Sequence, residues 1–368
     1  GKPVYFDNVA YIREGSSTTR LIAGSAKESK LWMRLQSSDF ESKVAERDVT
    51  AEEVVEKLDI DTYFSLLDMR VPGNIESILH SLTEQELIAQ QDNGRFSILN
   101  LGALLIARRL SSFSNLRKRV LRVVSYNGKN LLDIASDVSF DQGYALAIPA
   151  AERHIVSLLP SSEYMDGAFR RIRIAYPKRA IRELLSNMLI HQDLSDGTSS
   201  PVVSLFQNRI EFSNPGATLI PVARMLNAQP KSRNASLARQ LRQMHLCEEQ
   251  GSGWDIVVAA CEQAHMAAPR VESDEQLGTR VTLFAENAYE RMRKAERKDA
   301  VYWHACLMFA QGESMGNQSL RERFGLDGSR KNLVAISRLI KECCDEGLIK
   351  EEDEDAGDRY RRYIPAWA

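Results

Sequence analysis

The chain of 368 residues lacks an excess of either charge: 48 Lys and Arg against 50 Asp and Glu leave a net charge of −2. That excludes a global basic field, so any contact with nucleic acid has to come from a local patch. CxxC spacing is missing too. Its five cysteines are Cys247, Cys261, Cys306, Cys343 and Cys344. With no paired spacing, and with Cys343 and Cys344 side by side in a helical pattern, the expectation is reduced, buried thiols in a cytoplasmic protein. No apolar run approaches the ~20 residues that cross a bilayer, and no signal peptide is present, so a secreted or membrane role has no support. Solenoid repeats and low-complexity tracts are also missing.

What is present is ordinary globular composition, 43% apolar and 27% charged, at a length that predicts two to three domains. The most informative stretch runs from Tyr176 to Gly216. Ile181, Leu184, Leu185, Met188 and Leu189 recur at helical spacing, so Lys178 to His191 reads as an amphipathic helix. Glu183 and Asn187 lie one turn apart and share a face of it. A strand from Val202 to Gln207 and a second from Ile210 to Ser213 follow, closing on Asn214-Pro215-Gly216.

Taken in order, Val4–Phe6 and Ala10–Ile12 read as two strands, followed by a loop over Arg13 to Thr18. A lone hairpin is marginal in water, which predicts that this is a remnant of a larger sheet. Ala23 to Lys43 carries a helical pattern through Leu31, Trp32 and Leu35. A capping box opens a helix at Thr50; Asp61–Leu67 and Gly73–Glu84 follow, then a hairpin about Asn93-Gly94. This is equally the plan of a winged helix and of a helical linker with a structural hairpin. Helices are predicted over Asn100–Leu110, Gly143–Leu159, Ala235–Met244 and Trp254–Ala264, with strands over Val120–Tyr126, Arg170–Ala175 and Gly278–Ala285. Mixed but not alternating, they predict an α+β sandwich. A charged linker helix, Asn287–Lys298, leads to helices at Ala300–Ala310, Asn317–Phe324 and Ser329–Glu346, then to strands about Ile349 and Tyr360–Ile364. This is a clearer winged-helix pattern.

The chemistry in these residues is that of a nucleotide site. An Asn on a buried helix face can offer its amide oxygen to Mg²⁺, and a Glu one turn earlier can orient or deprotonate water. The turn Gly251-Ser252-Gly253, ahead of a helix, can cradle phosphates with backbone N–H groups. Singly, each has a plainer reading: a surface charge paired with Arg179, a buried amide bonded to backbone, and a turn. His191 and Asp193 form an H-x-D for which a metal or acid–base role competes with a plain helix-terminal histidine favoured by the dipole.

The runs AIRELLSNMLIHQDLS, VVSLFQNRIEFSNPG, SRNASLARQL and EEQGSGWDI, in that order, resemble the RecG-related family of transcriptional regulators. These carry an ATPase-like domain of the gyrase, MutL and histidine-kinase (GHKL) superfamily. LNLGALLIARR resembles the family's preceding helix, and PVYFDNVAYIREGSSTT resembles the tail of its AlbA-like, Schlafen-type DNA-binding domain. The close, from LRERFGL to RYRRYIPAWA, is similar to its C-terminal winged helix. The resemblance implies an α+β multidomain chain: a truncated AlbA-like tail (1–20), a helical, wing-like unit (21–100), a GHKL-type ATPase-like α/β sandwich (101–286), a linker helix (287–299) and a winged helix (300–368). It implies ATP and Mg²⁺ as cofactors, Asn187 as the Mg²⁺-binding residue and Glu183 as the catalytic one. Gly216 matches the adenine box, and Gly251 and Gly253, with Ser252 between them, match a glycine box near the phosphates. The superfamily's adenine box opens with Asp; here Asn214 stands there, able to accept a hydrogen bond but uncharged. The glycine box is also short.

For DNA, Ser329, Arg330, Lys331, Asn332 and Arg338 lie on the helix expected to enter the major groove, with Arg359, Arg361 and Arg362 flanking the wing. Against this, residues 301–368 hold ten Lys/Arg and twelve Asp/Glu, with the run Glu351 to Asp355 at the wing tip. Arg108-Arg109 and Arg117–Arg119 read as a solvated face, with a phosphate patch as the alternative. The expected function is a DNA-binding regulator, nucleotide-responsive and dimeric. The alternatives are an ATP-hydrolysing or nuclease-type effector, or an oligomerisation scaffold.

Overall fold

The computed structural model describes residues 4–6, 9–14, 17–25, 27–28, 31, 40–166, 169–229, 231–247, 253–285, 289–353, 357 and 361–368. The helical pattern expected about Trp32 and Leu35, and Gly251, Ser252 and Arg359, lie outside the described residues.

Strands β1 (Val4–Phe6), β2 (Val9–Glu14) and β3 (Ser17–Arg20) form an antiparallel sheet of three strands. The run Arg13–Thr18 is therefore not the expected loop: Arg13 pairs with Thr18 and Glu14 with Ser17. Next comes β4 (Val44–Val49), then α1 (Ala51–Lys57), α2 (Ile60–Leu66) and α3 (Ile75–Glu84), then β5 (Ile88–Gln90) and β6 (Phe96–Leu99). The sequence shows why α1 starts where it does. Thr50 Oγ1 accepts the Glu53 N–H at 3.2 Å, and the Glu53 carboxylate accepts the Thr50 N–H at 2.7 Å. Asp59 and Asn74 cap α2 and α3 by accepting the Thr62 and Ser77 N–H groups. Ile78, Leu79 and Leu82 of α3 are buried, whereas Ile75, expected on that stripe, is exposed.

Helix α4 (Asn100–Ile106) is buried on every side and leads into the central unit. There β7 (Leu121–Tyr126), β8 (Ile134–Phe140), β11 (Val202–Phe206), β12 (Arg209–Asn214), β13 (Arg270–Asp274) and β14 (Gly278–Phe284) form one sheet in the order β13-β14-β12-β11-β7-β8. All neighbours are antiparallel except β7 and β11. Alternation puts Val123, Val203, Leu205, Ile210, Phe212 and Leu283 on one buried face. Against that face lie α5 (Tyr144–Leu158), α6 (Lys178–His191) and α8 (Gly253–Gln263), with α6 between the other two. The opposite face carries ion pairs: Arg122 with Asp137, Arg209 with Glu211, and Arg280 with both Glu211 and Glu272. The strand expected at Arg170–Ala175 exists as β10 (Phe169–Ile174). It pairs with β9 (Ser161–Asp166) as a separate hairpin rather than joining the large sheet.

Helix α7 (Ala235–Gln243) follows the Ser232-Arg233-Asn234 run. The Glu41 carboxylate accepts the N–H groups of Ser236 and Leu237, so a residue of the N-terminal unit caps this helix across 195 positions of sequence. The expected linker helix is corrected: α9 runs unbroken from Lys294 to Ala310, with Glu296 bonded to the Arg293 N–H at 2.9 Å. No Gly or Pro stands between Asn287 and Ala310 to end it. Helices α10 (Asn317–Arg323) and α11 (Arg330–Asp345) and the hairpin β15 (Ile349–Glu351) with β16 (Tyr363–Pro365) complete the chain. One continuous buried cluster reaches from Val49 to Ile349, through the central unit and into this last one.

Candidate nucleotide site

Helix α6 brings the focal pair together as its spacing predicts. Glu183 is only 4% exposed, and its Oε1 accepts the Asn187 amide N–H at 3.2 Å. That commits the donor end of Asn187 and leaves its carbonyl oxygen as the atom suited to a cation. The first residue of α8 closes over the pair. A Cβ on Gly253 would stand 2.1 Å from Glu183 Oε1 and 3.4 Å from Asn187 Nδ2, so a larger residue here would push the Glu183 carboxylate from its place.

Asn214 ends β12, buried, with its Nδ2 donating to the Pro215 carbonyl at 3.0 Å. Its oxygen is thereby the end suited to accept from a ligand. The turn behind it is fixed from three directions. Gly216 has φ +92° and sits against Asp193; the Asp193 N–H donates to the Pro215 carbonyl at 2.8 Å; and Thr279 Oγ1 donates to the Gly216 carbonyl at 2.7 Å. Gly278 has φ +82°, and a Cβ there would meet the Asn214 carbonyl at 2.3 Å.

Glu183, Asn187, Asn214, Gly253 and Thr279 line one open cleft of about 200 Å³. Leu184, Met188, Phe212, Leu219 and Met225 supply apolar wall, and Lys231, Arg233 and Arg242 supply cations. Among the described lining residues Glu183 is the single carboxylate, so the cleft favours an anion with an apolar body. Trp254, also on the wall, holds its indole N–H buried with no acceptor among the described residues.

His191 ends α6 as expected and lines the cleft. Burial, with Arg233 nearby, holds its imidazole down to about 4, so it is neutral at pH 7. The backbone around it is locked. Asn234 Nδ2 donates to the carbonyls of Ile190 (2.8 Å) and Gln192 (2.9 Å), and Gln192 Nε2 donates to Tyr144 Oη at 2.9 Å. Tyr144 in turn donates to the Arg119 carbonyl at 2.9 Å. Arg119, read from sequence as solvated, is 2% exposed and donates to the carbonyls of Leu194, Asp196 and Ser199. Asp193 spends a carboxylate oxygen on Ser195. No group of three metal-ligating acidic, His or Cys side chains exists among the described residues, so a cation here would rest on Asn187 and the ligand's own oxygens.

The residues expected on DNA are elsewhere, on α11 and the hairpin. Ser329 caps α11 by accepting the Asn332 N–H at 3.4 Å, and Asn332 Nδ2 donates to Asp327 at 2.7 Å. Arg330, Lys331 and Arg338 are exposed, but so are Leu333 and Val334 beside them. Arg361 pairs with Glu351 at 3.2 Å, and the exposed Arg362 lies over Gly316. Sequence reasoning missed Lys231, Arg233, Arg242 and Thr279. Lys231 flanks and Arg233 lies within the SRN run already noted as a motif; Thr279 had no signal beyond its place beside Gly278.

Residues 198–283 match the family model described as "Putative ATP-dependent DNA helicase recG C-terminal". The chain thus carries a RecG-related ATPase-like domain, and the match takes in Asn214, Gly216 and Gly253 while beginning after α6. Among solved structures, the chain is similar to the DIP2311 protein from Corynebacterium diphtheriae. TM-score is 0.54 at 14% identity over 97% of this chain and 70% of that one, a likeness of fold. No curated protein matches. No helix of the described residues is long and apolar enough to cross a membrane.

Proposed function

We propose that the chain is a DNA-binding transcriptional regulator whose ATPase-like domain binds a purine nucleotide with Mg²⁺. The observation that carries this is the cleft itself. It is open, it joins the Glu183–Asn187 pair to Asn214, and three cationic side chains surround it. Asn187 holds the cation through its amide oxygen, Asn214 accepts from the base, and the basic side chains balance the phosphates. Mg²⁺ supplies charge neutralisation between phosphate oxygens. The C-terminal helices and hairpin act as a winged helix, with Arg330, Lys331 and Arg338 toward DNA.

Titration calorimetry with ATP and Mg²⁺ tests the nucleotide half. Heat is expected in the wild type and at least about tenfold weaker binding in Asn187→Ala; no heat in either removes the reading. Salt-dependent DNA binding, reduced when Arg330 and Lys331 become Ala, tests the other half. ATP turnover lost in Glu183→Ala marks an enzyme instead. One observation favours a second reading: Leu333 and Val334 are exposed on α11, between its cations. They suit a protein contact, and a dimer without DNA affinity would make that unit an oligomerisation surface.

A further inference from the structure

The cleft, at about 200 Å³, is smaller than the roughly 300 Å³ at which small-molecule pockets begin. A nucleotide seated in an open cleft this small presses on its walls. Helix α6 is enclosed between α5, α8 and the sheet, and its C-terminal end is tied by Asn234 and Gln192, so it yields least. Two further parts of the lining are held by the C-terminal unit, the rest coming from the sheet, the 217–220 and 228–233 segments and α7. The first is the start of α8. Its Trp254 meets Trp303 of α9 edge-on, with ring centroids 5.4 Å apart. Farther along α8, Glu262 pairs with His304 at 3.1 Å, and past its end the Met266 carbonyl accepts Arg323 at 2.7 Å. The second is the short turn Val222–Met225, whose Met225 lines the cleft. The Tyr302 hydroxyl donates to the Ala223 carbonyl, and the Arg224 guanidinium lies 4.3 Å over the Trp367 ring.

We propose that the C-terminal unit reads the state of the cleft. Seating a nucleoside phosphate displaces α8 and the Val222–Met225 turn, and both movements are delivered to α9 and Trp367. The ligand in this inference rests on the nucleotide reading above; the mechanical link does not. Because coupling is reciprocal, a partner bound by the C-terminal unit changes cleft affinity by the same factor.

Hydrogen exchange on the full chain tests it, with calorimetry in parallel and ADP plus Mg²⁺ as the probe. Saturating ADP is expected to change exchange over residues 294–310 by about threefold or more, and Tyr302→Phe to diminish that response while ADP heat persists. Heat without any change over 294–310 overturns the coupling and leaves the nucleotide reading standing. Absence of heat overturns the nucleotide reading, and Gly253→Ala then decides the coupling. Its added methyl, 2.1 Å from the Glu183 carboxylate oxygen, forces that carboxylate and the start of α8 apart with no ligand present. It should alter exchange over 294–310, whereas Gly128→Ala, whose methyl meets open space, should not. Unchanged exchange in a folded Gly253→Ala protein sinks the proposal. If that variant does not fold, Trp254→Phe, which keeps an aromatic wall but loses contact with Trp303, gives the same readout with the same expected and contrary results.

Discussion

Charge and burial at single residues give the sharpest tests. His191 titrates at about 4 in the fold, below the 6.5 of an unperturbed imidazole. Below pH 6.5 the unfolded chain takes up this proton first, so the fold loses stability as the pH falls from 6.5 through 4. The loss reaches up to about 3 kcal/mol. Urea midpoints at pH 7 and pH 4.5 should fall less in His191→Gln than in the wild type; equal slopes would contradict the assignment. Arg119 is a second such residue. Replacing it with Met strands carbonyls of the loop after α6 and should cost about 1–3 kcal/mol, read from denaturant midpoints. It also shows where sequence reading fails. A guanidinium in the run Arg117-Lys118-Arg119 looks solvated, and only the later loop, some 75 residues away, makes it a core residue.

At the scale of elements, periodicity did most of what it could. Helix α6 kept its predicted ends because its apolar stripe, from Ile181 to Leu189, is long and regular. Strands β8, β9 and β13 were not foreseen. Their residues are half polar and mostly outward-facing or outside the main sheet, so alternation had little apolar contrast to work with. The site divided in the same way. Glu183 and Asn187 were legible because one helix holds both, whereas Arg242 and Thr279 reach the cleft only through tertiary packing. The turn at Asn214 depends on Gly278 across the strand pair. Gly278→Ala should lower stability by about 1–3 kcal/mol through its positive φ and its collision with the Asn214 carbonyl. It should also weaken nucleotide binding; a thermal melt with calorimetry separates the two effects.

For the whole molecule, the continuous core from Val49 to Ile349 implies cooperative unfolding. Scanning calorimetry should give a single transition for the central and C-terminal units, with two resolved transitions as the contrary result. Trp303→Ala, which opens the shared core at its joint, should cost about 3–5 kcal/mol and is the variant most suited to splitting that transition. The resemblance implies a chain built from separate modules. The carboxylate of Glu41 argues otherwise. It sits at the start of α7, beside the SRN run that lines the cleft, while Gln85 of the same N-terminal unit bonds Gln240 within that helix at 3.0 Å. A gene fusion that gave the ATPase-like domain a new N-terminal partner would inherit an uncapped helix beside the cleft. The boundary is therefore a poor crossover point for recombination, and the two parts are expected to diverge in step.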